Sequence, residues 1–546
     1  MMMGLDDPAT LGVKERDHTL ARKALRRAVK LAHNGMVQRP RLASKAPGWW
    51  HMPKEAKESA FKFDQHHRRH TRAAKNSLDA YDQGNPNCDR KRRAFSRSLN
   101  DVHYDRYFIP ELPDELPDFT KDTNQKRTLV QVQTWSVWND NTIWKPRKAW
   151  AEAKDYVDND DLLRKALECD WNKCLGDHKT LHVIKKSDDS EADPETLADA
   201  CFEVLWEFRF LIFGAFDFYA TYGASDNIFN MQLNAYKLVV ERCHLFEAGS
   251  KTLNLTAFDQ LFIQLNAGHK GDTANALDRQ RWLQALIRFS IMRHVTPGTF
   301  DSVPRALRHL LAEEMKPNVD PRCLEDTHAF RYEYCYIQDV EEILKYFEGT
   351  LRSLFKVYAK GEGLIGDELD STKLLSFSEW KEMVKDLQLY ETDFTAREVN
   401  LTFVWSRMRV VDENNLDSKV KLIQLSFEDF LEAIVRCAVL KAMPDDEQIY
   451  DYDCEDAGEF IIRIRSEDPQ EYQRFIEGMQ PVFGEPPAQP IMKLVEHLCH
   501  YLCRTIASVI ASSGDARKAK SVKEFNNMTP DNIRMFKKVA RSSNRK

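Results

Sequence analysis

Glu368, Asp370, Thr372 and Glu379 stand at the first, third, fifth and twelfth places of the stretch "ELDSTKLLSFSE". Oxygen donors at that spacing let a twelve-residue loop wrap a calcium ion, provided the sixth residue makes the sharp turn that glycine permits. Here the sixth residue is Lys373. It sets a positive charge beside the ion and resists the backbone the turn needs. Three other stretches in the same phase are poorer still. Ala224–Ala235 has alanine at both ends, Lys270–Arg281 has a cation at both ends, and Ser418–Asp429 carries Lys419 and Lys421 without a glycine. Calcium is therefore expected at Glu368–Glu379 or nowhere, and no other cofactor is expected.

The phase of these stretches is set by four aromatics. Tyr236, Trp282, Trp380 and Phe430 each follow the twelfth place directly, and Met231, Leu277, Leu375 and Leu425 hold the eighth. An apolar eighth residue forms the short strand that pairs one helix–loop–helix unit with the next, and the aromatic begins the core of the exiting helix. The four aromatics are thus the expected module core.

Other motifs offer less. In "HLCHYLC" (497–503), His500 and Cys503 lie at i, i+3, and Cys499 and Cys503 at i, i+4, a spacing that suits zinc. No second ligand cluster lies nearby in the sequence, so a packing helix is the plainer reading. "GEGLIG" (361–366) matches G-x-G-x-x-G, but a helical pattern precedes it and an acidic stretch follows, the wrong context for a phosphate cradle. "YDYDCEDAGE" (450–459) puts Gly458 at the eighth place and Ile462 at the twelfth, so it reads as an acidic connector. Without a P-loop, H-E-x-x-H or G-x-S-x-G pattern, neither an enzyme nor a small-molecule substrate is expected.

The elements that position the loops are helical and repeated. "CFEVLWEFRFLIFGAFDFYA" (201–220) aligns with "VEEILKYFEGTLRSLFKVYA" (340–359) at an offset of 139, matching Leu205, Phe208, Ile212, Phe216 and Tyr219 with Leu344, Phe347, Leu351, Phe355 and Tyr358. Those positions recur three or four apart, so one helix face is copied. "AFDQLFI" (257–263) parallels "EVNLTFV" (398–404), and "LDRQRWLQALIRFSIMR" (277–293) parallels "LSFEDFLEAIVRCAVLK" (425–441). One four-helix module is present twice. The stretch 201–220 includes Glu203, Glu207, Arg209 and Asp217, too many charges for a membrane span, and reads as one long buried helix.

Charge is divided along the chain. Residues 1–100 carry 22 Lys and Arg against 10 Asp and Glu, a net of +12 in a chain of −6, which leaves −18 for the rest. A basic arm on an acidic body suggests an anionic partner. Within the arm, Arg68, Arg69, Arg92 and Arg93 accompany Trp49 and Trp50, and aromatics beside cations anchor an extended segment better than charge alone. No nucleic-acid module accompanies the arm, so nucleic acid is not the expected partner. The eleven scattered cysteines read as free thiols of a reducing compartment, the cytoplasm.

The expected organisation is mainly α. A basic, largely extended arm with one short helix spans 1–138, and lead-in helices span 139–190. Paired helix–loop–helix modules span 195–295 and 338–442, with a linker at 296–337 between them. A helical region with a basic tail spans 443–546.

Paired units with exiting helices such as "WLQALIRFSIMR" and "FLEAIVRCAVLK" are the EF-hand arrangement, and the chain resembles degenerate EF-hand proteins of cilia and flagella. The resemblance covers about 139–442 and includes the upstream "IWKPRKAW…YVDNDDLLRKALECDW". It implies a calmodulin-like fold used structurally on axonemal microtubules of the cytoskeleton, with tubulin and other axonemal proteins as partners and no membrane. The loops depart from the family pattern, so a second reading stays open: a calcium-responsive adaptor with 368–379 as its one working loop.

Overall fold

The computed structural model describes residues 135–139, 141–176, 179–188, 193–222, 227–267, 275–359, 374–512 and 525–543, and helices make nearly all of its regular structure. The protein is mainly α: strand among the described residues is limited to four two-residue segments. The arm expected over 1–138 lies outside the described residues up to 134.

The lead-in comprises α1 (Lys145–Trp150), α2 (Asp160–Gly176) and α3 (Lys179–Ser187). The first module follows with α4 (Pro194–Glu207), α5 (Arg209–Ala220), β1 (Met231–Gln232), α6 (Leu233–Arg242), α7 (Leu255–Asn266), β2 (Ala276–Leu277) and α8 (Arg279–Ser290). Asp193 caps α4 by accepting from the Glu195 N–H, with Pro194 at the first helical position. The stretch 201–220, expected as one helix, is bent at Phe208, where φ is −99° and ψ is 19°. Phe208 itself keeps helical bonds on both sides, donating to the Val204 carbonyl and accepting from the Ile212 N–H. Gly214 then lets α5 approach the 3-10 turn Pro321–Leu324 so closely that a Cβ there would collide with the Cys323 carbonyl.

Residues 296–337, expected as a linker, fold into α9 (Val303–His309), α10 (Thr327–Phe330) and three non-α turns: the 3-10 turn and π turns at Leu310–Met315 and Arg331–Cys335. The reason is apolar spacing: Val303, Leu307, Leu310, Leu311 and Met315 fall on one face and enter the core of the first module.

The second module repeats the plan with α11 (Gln338–Tyr346), α12 (Glu348–Tyr358), β3 (Leu375–Ser376), α13 (Phe377–Asp386), α14 (Ala396–Ser406), α15 (Leu416–Ile423), β4 (Gln424–Leu425) and α16 (Phe427–Leu440). The repetition reaches small details. Phe347, aligned with Phe208, bends the α11–α12 stretch with φ −94° and ψ 6°. His244 and Gln388 end α6 and α13 at φ 53° and 56°, and the following leucines, Leu245 and Leu389, donate back to Val240 and Val384. These are the same left-handed helix stop written with two different residues. The Tyr236 hydroxyl donates to the Phe258 carbonyl at 3.1 Å, and the Trp380 indole donates to the aligned Val399 carbonyl at 3.0 Å.

The C-terminal region adds α17 (Asp446–Asp451), α18 (Ala457–Glu467), α19 (Pro469–Met479), α20 (Ile491–Ser512) and α21 (Pro530–Ser543). Two apolar cores result. One joins the first module to α2 and α9. The other joins the second module to Trp144 of the lead-in and to α20 and α21. Helix α14 belongs to both, giving Val399, Phe403 and Val404 to one core and Leu401 and Trp405 to the other.

Candidate functional site

The places where an ion would be held are framed by the short strands. Met231 faces Leu277 and Gln232 faces Ala276 in an antiparallel bridge, and Leu375 faces Leu425 and Ser376 faces Gln424 in the second. All four apolar residues at the eighth places therefore pair, two by two. Directly after the twelfth places Tyr236, Trp282, Trp380 and Phe430 are fully buried, and the Trp282 indole donates to the Ile212 carbonyl at 3.2 Å.

What the twelfth places do follows from their residue types. Ala235 is buried and offers no ligand. Arg281 is buried and turned inward, donating to both carboxylate oxygens of Asp278 at 3.1 and 3.0 Å and to the Asn266 side-chain oxygen. Glu379 reaches back to Ser376, accepting from its backbone N–H at 3.0 Å while the Ser376 hydroxyl accepts from the Glu379 N–H. Asp429 makes the same reciprocal cap with Ser426. At the ninth places Asp278, Ser376 and Ser426 each cap the exiting helix, so a side chain satisfies free N–H groups of its first turn. Of the four sequence-derived calcium ligands only Glu379 can be placed; Glu368, Asp370 and Thr372 lie outside the described residues. The arm residues Trp49, Trp50, Arg68, Arg69, Arg92 and Arg93 lie outside them as well.

Beyond its cap, Asp429 accepts from the Arg147 guanidinium at 2.9 Å. Arg147 enters from α1, is fully buried, and also donates to the Tyr336 hydroxyl at 2.9 Å and the Ser406 carbonyl at 2.6 Å. It shares Glu432 with Arg331 and Arg436, whose Nε groups each donate to that carboxylate at 2.9 Å. Arg331 continues to Asp158 at 3.4 Å and to the Trp405 and Arg407 carbonyls. The cluster thus ties the lead-in, the π turn Arg331–Cys335, α14 and α16 into one buried ionic network. Burial alone would raise the Glu432 pKa, but Arg331, Arg147 and Arg436 bring it down to about 2. Burial likewise opposes ionisation of Asp158, and His328, Arg331 and Arg409 outweigh it, so its pKa falls well below the usual range.

This network was not anticipated in the sequence. Arg147 sits in "WKPRKAW" among other cations, and nothing in its spacing marks it as buried. The caps did carry a signal: S-x-x-E at 376–379 and S-x-x-D at 426–429 before apolar runs are capping-box patterns.

The zinc spacing of "HLCHYLC" leads to packing. Cys499 and Cys503 are buried in the core, the Cys499 thiol is pushed up to about 12 by burial, and the His500 ring lies edge-on to Phe347. The three-donor grouping that the fold assembles among the described residues lies elsewhere, at His294, His309 and Glu314. Among those residues no helix is long and apolar enough to cross a membrane. No protein-family model, curated protein or solved structure matches the chain.

Proposed function

We propose that this protein is a non-enzymatic scaffold of ciliary or flagellar axonemal microtubules, built on two calcium-free EF-hand pairs, with a basic aromatic arm that lies on tubulin. The observation that carries the reading is the fate of the ion loops. Their eighth residues pair as Met231–Leu277 and Leu375–Leu425. The described twelfth-place side chains are engaged by the protein itself: Arg281 by Asp278, Glu379 by Ser376, and Asp429 by Ser426 and Arg147. The framework of an ion sensor is kept, and the chain fills the ion's role. A unit that calcium does not open is a fixed support rather than a switch.

The structure also supports a closed support. The apolar faces that calmodulin-like pairs offer to a partner helix are covered by the chain's own helices: α2 and α9 over the first module, α20 and α21 over the second. Partners are then engaged by outer surfaces and by the arm. Its cations meet the acidic tubulin surface, an attraction that salt weakens.

The test is co-pelleting of the full chain with microtubules, compared with a full chain carrying Arg68→Ala, Arg69→Ala, Arg92→Ala and Arg93→Ala. Weaker, salt-sensitive binding of the variant supports the arm's role. Equal binding by both removes the arm from the account, and no binding by either removes the microtubule.

A further inference from the structure

We propose that His294, His309 and Glu314 form a binding site for one divalent transition-metal ion, of which zinc is the expected occupant, and that the ion clips the exit of the first module to the helix that follows it. The site is independent of the calcium-type loops.

Its donors come from two π turns that face each other. Helix α8 ends in a π turn, Ile291–Val295, which holds His294. Helix α9 ends in the π turn Leu310–Met315, which holds Glu314, with His309 directly before it. A π turn inserts an extra residue into a helix, redirects the side chains beyond it, and is frequent at functional sites. Here two of them adjoin the three donors. The chain between them folds back through His294, whose carbonyl accepts from the N–H groups of Thr299 and Phe300 at 2.9 and 3.1 Å.

The donor atoms already approach metal spacing. One ligand atom from each residue lies within 4.8 Å of the others. His294 Nε2 stands 3.4 Å from Glu314 Oε2. Two ligands at roughly 2.0–2.1 Å from a tetrahedral zinc ion are themselves separated by about 3.4 Å, so this edge is in place. His294 is 5% exposed, and its buried Nε2 faces the Glu314 carboxylate at 3.4 Å, short of a well-aligned hydrogen bond. An ion seated between the two would engage both groups. His309 is half-buried, with its ring 4.9 Å from that of His294, which places its donor within 4.8 Å of the other two.

The surroundings hold the donors in place. Phe300 packs on both rings, at 5.6 and 5.1 Å, and restricts their orientation. Arg293 donates through Nε to both Glu314 oxygens, at 3.1 and 3.2 Å, and fixes the carboxylate. Its charge is shared with Glu247 and the Leu245 carbonyl. A carboxylate has lone pairs enough for both the arginine and an ion. Two imidazoles and one carboxylate leave the fourth position to water. A borderline metal such as zinc prefers that donor set, whereas calcium requires more oxygen ligands.

The test uses the full chain, stripped with chelator, dialysed, and titrated with zinc by calorimetry and with cobalt by absorption spectroscopy. The arm's own histidines, His18, His33, His51, His66, His67, His70 and His103, can also take up metal. The deciding quantity is therefore the difference between wild type and two variants, His309→Ala and Glu314→Gln, each checked for unchanged far-ultraviolet dichroism. The expected result is one fewer tight equivalent, or a Kd raised at least tenfold, in both variants. The tetrahedral cobalt bands should be lost, and zinc should raise the unfolding midpoint of wild type alone. Equal zinc stoichiometry and affinity in wild type and both variants would overturn the proposal, as would wild type that takes up no zinc at a free concentration about 100 times a micromolar Kd.

Discussion

Replacing Glu432 by Gln keeps the shape of the side chain and removes its charge from the middle of the ionic network. The carboxylate is fully buried and faces three guanidinium groups, those of Arg147, Arg331 and Arg436. Its pKa of about 2, against 4.5 for an unperturbed glutamate, is a difference of 2.5. At about 1.4 kcal/mol for each unit, ionised Glu432 contributes about 3 kcal/mol to stability at pH 7. Removing one partner from a buried ion cluster generally costs 3–5 kcal/mol, which agrees with that figure. The sign of the pH dependence follows from the depressed pKa. The contribution is complete above the unfolded-state value, near 4.5, and is lost as pH falls from there towards 2. Asp158, whose pKa is also depressed, acts in the same direction. Urea unfolding of the full chain, followed by tryptophan fluorescence, should therefore show Glu432→Gln less stable by about 3 kcal/mol at pH 7. The gap should narrow steadily between pH 4.5 and pH 3 as wild type loses what the variant never had. A variant within about 0.5 kcal/mol of wild type at pH 7 would refute the reasoning, because surface substitutions fall in that range. A gap that stays constant from pH 7 to pH 3 would refute it as well, since the cost would then come from shape and not from charge.

Titration calorimetry with millimolar calcium should give no binding heat; a signal abolished by Glu379→Gln would instead establish 368–379 as a calcium loop. Because glutamine also completes a capping box, Glu379→Gln should leave stability unchanged, while Glu379→Ala should lower it by about 1 kcal/mol, both read from urea midpoints. Gly214→Ala drives a methyl group into the Cys323 carbonyl and should cost about 1–3 kcal/mol; an unchanged thermal midpoint would show that α5 can retreat from the 3-10 turn. Trp380→Phe removes the donor to the Val399 carbonyl and should cost about 1–3 kcal/mol, with Tyr236→Phe as its counterpart in the first module, and a large difference between the two would argue against their equivalence.

Much of this fold was legible because helix faces survive where loops do not. The alignment of Phe208 with Phe347 rests on apolar spacing alone, and the two residues bend their helices with nearly the same dihedral angles. The aromatics at 236, 282, 380 and 430 stand out in the sequence because core size constrains them, and all four are buried. Polar partners were not legible. Arg147 and Asp429 are separated by 282 residues, and an arginine buried against carboxylates has the same letter as one in solvent. Within 296–337 the helical spacing of Val303, Leu307, Leu310 and Leu311 was legible, but the run is short and stands apart from the repeated pattern, so the segment read as a linker. The π turns that end its helices leave no sequence signature of their own.

On the proposed reading, calcium was replaced differently at each loop. Alanine at the twelfth place of the first loop leaves nothing to charge-balance. Arginine at the second brings the cation on the chain, and Asp278 and Asn266 neutralise and orient it. Aspartate at the fourth keeps its charge and receives a cation from a helix that lies outside the module altogether. That last solution has a mechanical consequence. A diffusible ion can leave, and its departure changes the angle between helices; a guanidinium held through the backbone of α1 cannot leave without unfolding the lead-in. Closure of the second module is thereby coupled to folding of residues that precede both modules, and α14, shared by the two cores, carries the constraint from one module to the other. On this reading the state of the support follows the packing of its covering helices, and calcium has no lever on it.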